Sequence, residues 1–115
     1  MKYRITKHLE VAGAHRLQVD GENPCSRVHG HNWKISVTCE SNKLDGGMVV
    51  DFGVVKKLVH GALDHRHIND LDFLPSWLRE NPTAEHIALW ILETVPRCVE
   101  VTVQESDGNE CTVTI

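Results

Sequence analysis

The residues of this chain best suited to chemistry are histidines. His29 and His31 are separated by a single glycine, and residues two apart on a strand project from the same face. A neutral imidazole is the commonest nitrogen ligand of zinc. Alone, His-x-His is a weak signal, and two histidines that merely share a strand explain it about as well. His15 shifts that balance. It falls on the apolar parity of an earlier strand, which a hairpin would lay beside the second one. Three histidines would then converge and leave a fourth zinc position for water or substrate, the arrangement of a catalytic site and not of a closed structural one.

Other groups could serve such a centre. Cys25 precedes His29 by four residues in a loop, within reach of the open side of the metal. Beside a cation a loop thiol ionises more readily, so Cys25 could act as a thiolate base or nucleophile. Cys39, Cys98 and Cys111 fall on strands and read as inert small residues, with Cys39 and Cys111 on apolar parity. Asp64 and His65 follow a helix directly. Adjacent residues rarely pair with each other, but a carboxylate and an imidazole there could feed a site, His67 being the rival imidazole. The plain alternative is a solvated Asp beside a His that favours the helix dipole. Glu105 ends a stripe formed by Val99, Val101 and Val103. A carboxylate on a buried face is costly unless paired. It could anchor a ligand with paired N–H donors, such as the amino-pyrimidine edge of a pterin or guanine, or escape to solvent at the strand end. Glu85 reads as a first-turn residue favoured by its helix dipole. His8, His60 and His86 show no ligand spacing.

The elements that must position these groups follow from periodicity. Residues 3–17 alternate as one strand and residues 28–40 as a second, with His31, Trp33, Ile35, Val37 and Cys39 sharing a face. Residues 19–27 read as a loop. Asp51 can cap a helix over residues 52–63, whose apolar stripe is Val55, Leu58, Val59, Ala62 and Leu63. Residues 65–76 read as irregular. Asn81-Pro82-Thr83 starts a second helix, capped by either Asn81 or Thr83, with a stripe from Ala84 through Ile87, Ala88, Ile91 and Leu92 to Val95. Strands over 98–105 and 110–115 close the chain around a turn at Ser106-Asp107-Gly108-Asn109. The order β-β-α-α-β-β predicts an α+β fold, an antiparallel four-stranded sheet carrying two helices on one face. Its outer strands would be exposed edges, which oligomerisation could close.

Composition narrows the function. The chain has 115 residues, 41% apolar and 24% charged, which suits a single folded domain over 1–115. A net charge of −4 and the lack of a basic stripe argue against a nucleic-acid partner. The apolar run Ile87 to Leu92 is too short for a membrane span, and Met1-Lys2-Tyr3-Arg4 lacks an apolar signal core. Four scattered cysteines form neither a disulfide framework nor a zinc finger, so a cytoplasmic setting with reduced thiols is expected. The 8 histidines are the anomaly.

Taken in order, Ala14-His15-Arg16-Leu17, Cys25-x3-His29-Gly30-His31, Val50-Asp51-Phe52, Leu63-Asp64-His65-Arg66, Asn81-Pro82-Thr83-Ala84-Glu85 and Val103-Gln104-Glu105-Ser106 resemble the 6-pyruvoyl-tetrahydropterin synthase family across almost the whole chain. The three-residue spacer after Cys25 resembles its bacterial branch, which forms 6-carboxy-tetrahydropterin in queuosine biosynthesis. The resemblance implies the tunnelling fold (T-fold), in which trimers close four-stranded sheets into a twelve-stranded barrel and two trimers stack as a homo-hexamer. It implies one zinc per subunit on His15, His29 and His31. It implies a lyase acting on a small molecule, 7,8-dihydroneopterin triphosphate, at a subunit interface, with 6-carboxy-tetrahydropterin, acetaldehyde and triphosphate as products. Cys25 matches the family's catalytic proton acceptor, Asp64 and His65 its charge-relay pair, and Glu105 its pterin anchor. Arg16, Arg27 and Arg66 are candidates for the phosphates by charge. The readings that compete are formation of the 6-pyruvoyl product, a zinc hydrolase, and a non-catalytic zinc-stabilised module with Cys25 as fourth ligand.

Overall fold

Period-two alternation produces the two longest elements. In the computed structural model, which describes residues 1–19, 21 and 23–115, β1 (Tyr3–His15) and β2 (His29–Ser41) run antiparallel over their full length. Their register, from Tyr3 opposite Ser41 to His15 opposite His29, fixes which side chains share a face. One face carries Leu9, Val11, Trp33, Ile35, Val37 and Cys39 into the core. Each large apolar side chain so buried contributes roughly 1.5–3 kcal/mol of transfer free energy. The same parity delivers His15 to the buried face at the end of β1, where it is 0% exposed.

Two amphipathic helices cover that face. The α1 helix (Phe52–Leu63) starts where Asp51 Oδ1 accepts the Gly53 amide at 2.7 Å, and it buries Val55, Val59 and Leu63 along one stripe. The later helix, named α3 below, spans Ala84–Thr94 and buries Ala84, Ile87, Ala88 and Ile91. Its cap is Thr83, whose hydroxyl accepts the His86 amide at 3.1 Å. Asn81, the other candidate cap, is engaged elsewhere: its Oδ1 takes the Gln18 amide at 2.7 Å.

The α+β class holds, and the details add to it. Between the helices lie β3 (Arg66–His67), a 3-10 turn (Ile68–Asp70) and α2 (Ser76–Glu80). β3 pairs parallel to β1 at Gly13 and Ala14, so the sheet has five strands and is mixed, in the order β3-β1-β2-β4-β5. Two paired residues and a five-residue helix are each too short to carry a readable period, which is why the sequence showed only irregular chain there. Pro24–Ser26 adds one more 3-10 turn within the predicted loop, of which Asp20 and Glu22 lie outside the described residues. β1 ends at His15 and not at Leu17, because its ladder with β2 ends at the His15–His29 pair.

The last strands, β4 (Cys98–Ser106) and β5 (Asn109–Thr114), form the expected hairpin, with Gly108 at φ +84° in its turn. Two bulges modify it. The β2–β4 register skips Val99, so Cys98 is buried and Val99 only half-buried, the reverse of the alternation expected for this stripe. The β4–β5 register skips Glu105, which stands unpaired between Gln104 and Ser106.

The Thr83 cap fixes where α3 begins, immediately after the Pro82 carbonyl that the site uses. Thr83→Ala should lower unfolding free energy by about 1 kcal/mol, with Thr83→Ser near wild type. Urea denaturation of the three proteins measures this, and equal midpoints would remove the cap from the account.

Candidate metal centre and active site

Strand register brings His15, His29 and His31 together. Their ligand-capable nitrogens all lie within 4.8 Å of one another, and the ring centroids are 4.5, 5.1 and 4.9 Å apart. Trp33 forms the floor. Its ring meets His15 and His31 edge-on at 5.0 and 5.1 Å, while its Nε1 donates to the Gly13 carbonyl at 3.1 Å.

Hydrogen bonds fix which nitrogen faces inward for two of the three rings. His15 Nδ1 donates to Pro82 O at 2.7 Å, and His29 Nδ1 donates to Arg27 O at 2.7 Å. In the neutral rings the Nε2 atoms are therefore bare acceptors. These two acceptors face each other at 3.0 Å. His31 Nε2 is buried without a hydrogen-bond partner, although Glu105 Oε1 lies 3.4 Å away. Three clustered imidazoles, two of them with the other ring nitrogen bonded to a carbonyl, form the donor set of a borderline cation such as zinc. The residues present fit such an ion.

Burial pushes the His15 imidazole below the usual histidine value. The Pro82 bond opposes that shift, and the neighbouring His29 and His31 reinforce it. Burial also lowers His31, against the pull of Glu105. Both shifts favour the neutral ring, the form a metal needs.

Cys25 stands in the 3-10 turn Pro24–Ser26, half-buried, with its amide donating to Asn23 Oδ1 at 2.9 Å. Its carbonyl accepts the Leu17 amide at 2.7 Å, which places the turn at the end of the sheet where β1 finishes and β2 starts. Cys39 and Cys98 are buried opposite each other on β2 and β4, and the Cys98 contact and burial push the Cys39 thiol up. Cys111 is half-buried against the core.

Asp64 and His65 pair directly, against the expectation for adjacent residues. His65 Nδ1 bonds Asp64 Oδ2 at 2.6 Å. The cause is backbone geometry: His65 has φ +58°, a left-handed turn that folds its ring back onto the preceding carboxylate. Asp64 also accepts the Ala12 amide through Oδ1 at 2.9 Å and lies 3.3 Å from His60 Nε2. The Ala12 and His65 bonds hold the Asp64 carboxyl below its ordinary range. The His65 side chain is 81% exposed, and among the described residues no hydrogen bond or ring contact joins it to the three histidines. It shares with His31 a cavity of about 480 Å³ that spans β3, β1 and β2, along with Arg66 and His67. His67 has its own carboxylate, Asp70 Oδ2, at 2.8 Å. Arg16, Arg27 and Arg66 are all exposed.

Glu105 reaches the centre because of its bulge. Its carboxylate touches His31 and also lines a second cavity of about 480 Å³ with Glu85, Glu110, Asn109 and Cys111. Glu85 was read as a helix-dipole residue alone, and its place beside Glu105 depends on how α3 packs across β4 and β5. Pro82 and Trp33 were likewise missed as supports. Pro82 contributes only a backbone oxygen and so leaves no side-chain signal, whereas Trp33, two residues after His31 on the same parity, was open to recognition.

The lowered histidines set a pH dependence for the metal-free protein. Between their folded values and about 6.5, the unfolded chain binds protons that the folded chain refuses. Stability should therefore fall as the pH drops through about 6.5 toward the lowered folded values, and the urea midpoint should be insensitive to these rings well above about 6.5. A midpoint that stays level or rises through that range would contradict the assignment.

The comparisons with known proteins agree with this architecture. A family model described as 6-pyruvoyl tetrahydropterin synthase matches residues 4–115. A 6-carboxy-5,6,7,8-tetrahydropterin synthase of Bacillus subtilis is 36% identical, over 95% of this chain and 83% of the relative. A dihydroneopterin monophosphate aldolase of Pyrococcus furiosus is 35% identical, over 83% of this chain and 76% of the relative. Among solved structures, the 6-pyruvoyl tetrahydropterin synthase of Caenorhabditis elegans superposes with a TM-score of 0.75 at 23% identity, covering 99% of this chain and 96% of that one, and so shares the T-fold. With near-complete coverage by the family model, and relatives above one third identity along most of its length, this chain belongs to the 6-pyruvoyl tetrahydropterin synthase family of enzymes.

Proposed function

We propose that this protein is a zinc-dependent lyase that converts 7,8-dihydroneopterin triphosphate into 6-carboxy-5,6,7,8-tetrahydropterin, acetaldehyde and triphosphate, for queuosine or related 7-deazapurine synthesis in the cytoplasm. The observation that carries the chemistry is the pair of Nε2 acceptors 3.0 Å apart, with both Nδ1 protons committed to carbonyls. The choice of product is supported by the named reaction of the 36%-identical relative.

Each residue has a task in that reaction. Zinc, one ion per subunit on His15, His29 and His31, would supply Lewis-acid polarisation of the substrate's side-chain oxygens. Glu105, with Glu85 across the same cavity, offers carboxylate acceptors to the N–H edge of the pterin. The 3.4 Å approach of Glu105 to His31 supports a pose in which that edge lies beside the proposed metal ligands and the side chain of the pterin extends toward them. Cys25 takes a proton from the side-chain carbon. His65, held by Asp64, delivers or removes the second proton. The protons removed from the side chain return to the ring, so the ring is reduced to the tetrahydro level as the side chain is oxidised. Triphosphate leaves by elimination, and water cleaves the carbon–carbon bond, supplying the second carboxylate oxygen and releasing acetaldehyde. Arg66, on the cavity shared by His65 and His31, is a candidate for the phosphates.

The exposed position of His65 suits a site completed between subunits. Along residues 3–11, the outer edge of β1 carries no strand partner among the described residues, and β5 pairs only with β4. Pairing of such edges between copies would close three sheets into a barrel, and two such trimers would give the hexamer.

Mass analysis of the products from dihydroneopterin triphosphate tests the reading. Acetaldehyde with a 6-carboxy pterin is expected. A retained three-carbon side chain would replace it with the 6-pyruvoyl reaction, the second reading favoured by the family match. Turnover of the monophosphate alone would favour the aldolase reaction for which the Pyrococcus relative is named. Cys25→Ala should lose at least about a hundredfold in kcat while keeping its zinc. Loss of the zinc with the fold would instead make Cys25 a ligand of a closed structural centre. Glu105→Gln should raise KM by roughly ten- to a hundredfold, the worth of a charge-assisted hydrogen bond.

A further inference from the structure

Resting on that reading, we infer that Asn69, seconded by Asn81, is a positioning residue. Its side-chain amide replaces a neighbouring strand and holds the segment after His15, so that His15 and Cys25 keep their places. β3 pairs with β1 only at Gly13 and Ala14. Two residues further on, Arg16 belongs to no strand, yet both of its backbone groups are engaged by one side chain. Its N–H donates to Asn69 Oδ1 at 2.9 Å, and its carbonyl accepts from Asn69 Nδ2 at 3.0 Å. A donor and an acceptor on one residue are what a facing strand would satisfy. The other Nδ2 hydrogen donates to Arg79 O at 2.8 Å. All three bonds set the amide's orientation, since a half-turn would face N–H against N–H and oxygen against two carbonyls.

The next two amides continue the pattern on alternating sides. Leu17 donates to the Cys25 carbonyl at 2.7 Å, and Gln18 donates to Asn81 Oδ1 at 2.7 Å. Residues 16–18 are thus an extended segment gripped by two asparagines on one edge and by the Cys25 turn on the other. His15 heads this segment, and its ring is tied to Pro82, the residue after Asn81. One linker therefore sets both the ring and the chain that carries it. Arg16 is exposed, so without Asn69 its groups would turn to water and the grip on Leu17 and Cys25 would loosen.

The test compares the full-length wild type with Asn69→Ala and with a control, Thr6→Ala, which removes a 2.9 Å contact to Thr38 at the far end of the sheet. Two properties are read on metal-free protein: zinc affinity by competition with a chromophoric chelator, and the rate of Cys25 alkylation by iodoacetamide, located by peptide mass. Asn69→Ala should weaken zinc binding about tenfold, as loss of support around a ligand does, and speed Cys25 alkylation several-fold. Thr6→Ala should change neither. A folded Asn69→Ala that matches wild type in both readouts overturns the inference. If Asn69→Ala does not fold, Asn81→Ala, which gives up only the Gln18 bond, must shift both readouts in the same directions or the inference fails. Absence of zinc binding in the wild type would refute the proposed function instead, and the alkylation rates would then decide the positioning role alone.

Discussion

Two imidazole nitrogens that both lack a proton sit 3.0 Å apart, and most of the local architecture serves to keep them there. Such a contact is repulsive without a cation between the lone pairs. It persists because each ring is anchored from behind, by Pro82 O and by Arg27 O, and because Trp33 packs beneath. The anchors come from separate parts of the chain: the linker before α3, the turn before β2, and the body of β2. The fold converges on one small volume where His31 Nε2 is buried without a partner, and burial favours the neutral form of His15 and His31. A binding site for a positive ion is the arrangement in which every one of these costs is offset.

The same dependence on backbone partners recurs around the centre. Asp64 accepts from the Ala12 amide and bonds the His65 ring, so one carboxylate locks the end of α1 to β1 and orients an imidazole. His65 adopts a left-handed conformation to make that contact. Such a φ is unfavourable for a residue with a Cβ, and the His65 amide's 2.6 Å bond to Ala12 O helps hold it. Glu105 is aimed by a bulge, which removes it from the β5 ladder and leaves its carboxylate free to face His31. His65 and Glu105, both candidate site residues, are thus each placed by an irregularity in the backbone.

This division explains what could be read from the residues. Alternation over thirteen-residue strands and the 3.6-residue stripes of α1 and α3 were plain, because each repeats several times. The convergence of His15, His29 and His31 followed from parity plus one hairpin. The direct Asp64–His65 pair did not, because a positive φ at a non-glycine residue has no sequence signature of its own. The placement of Val99 and Cys98 was reversed for a similar reason: one bulge flips every side chain beyond it. β3 and α2 were invisible because they are stabilised by neighbours and not by their own periodicity. Pro82 and Asn69 act through a carbonyl and an amide, and nothing in a single sequence marks which of its many such groups meets which.

The distribution of exposure has a consequence for how the site works. His15 is fully buried, whereas the His65 side chain, tightly paired to its carboxylate, is 81% exposed. A strained, oriented imidazole facing solvent does little for the stability of its own chain, because water screens an exposed contact of this kind. Its geometry is therefore better explained by something it acts on. Within the chain, it lines a cavity with His31 and Arg66 that spans β3, β1 and β2, next to the β1 edge that β3 covers for only two residues. The group with the proposed proton-transfer role and one proposed metal ligand, His31, thus line a space that one chain leaves open. A neighbouring copy that pairs with that edge would enclose the space, exclude water from it and strengthen every electrostatic interaction inside.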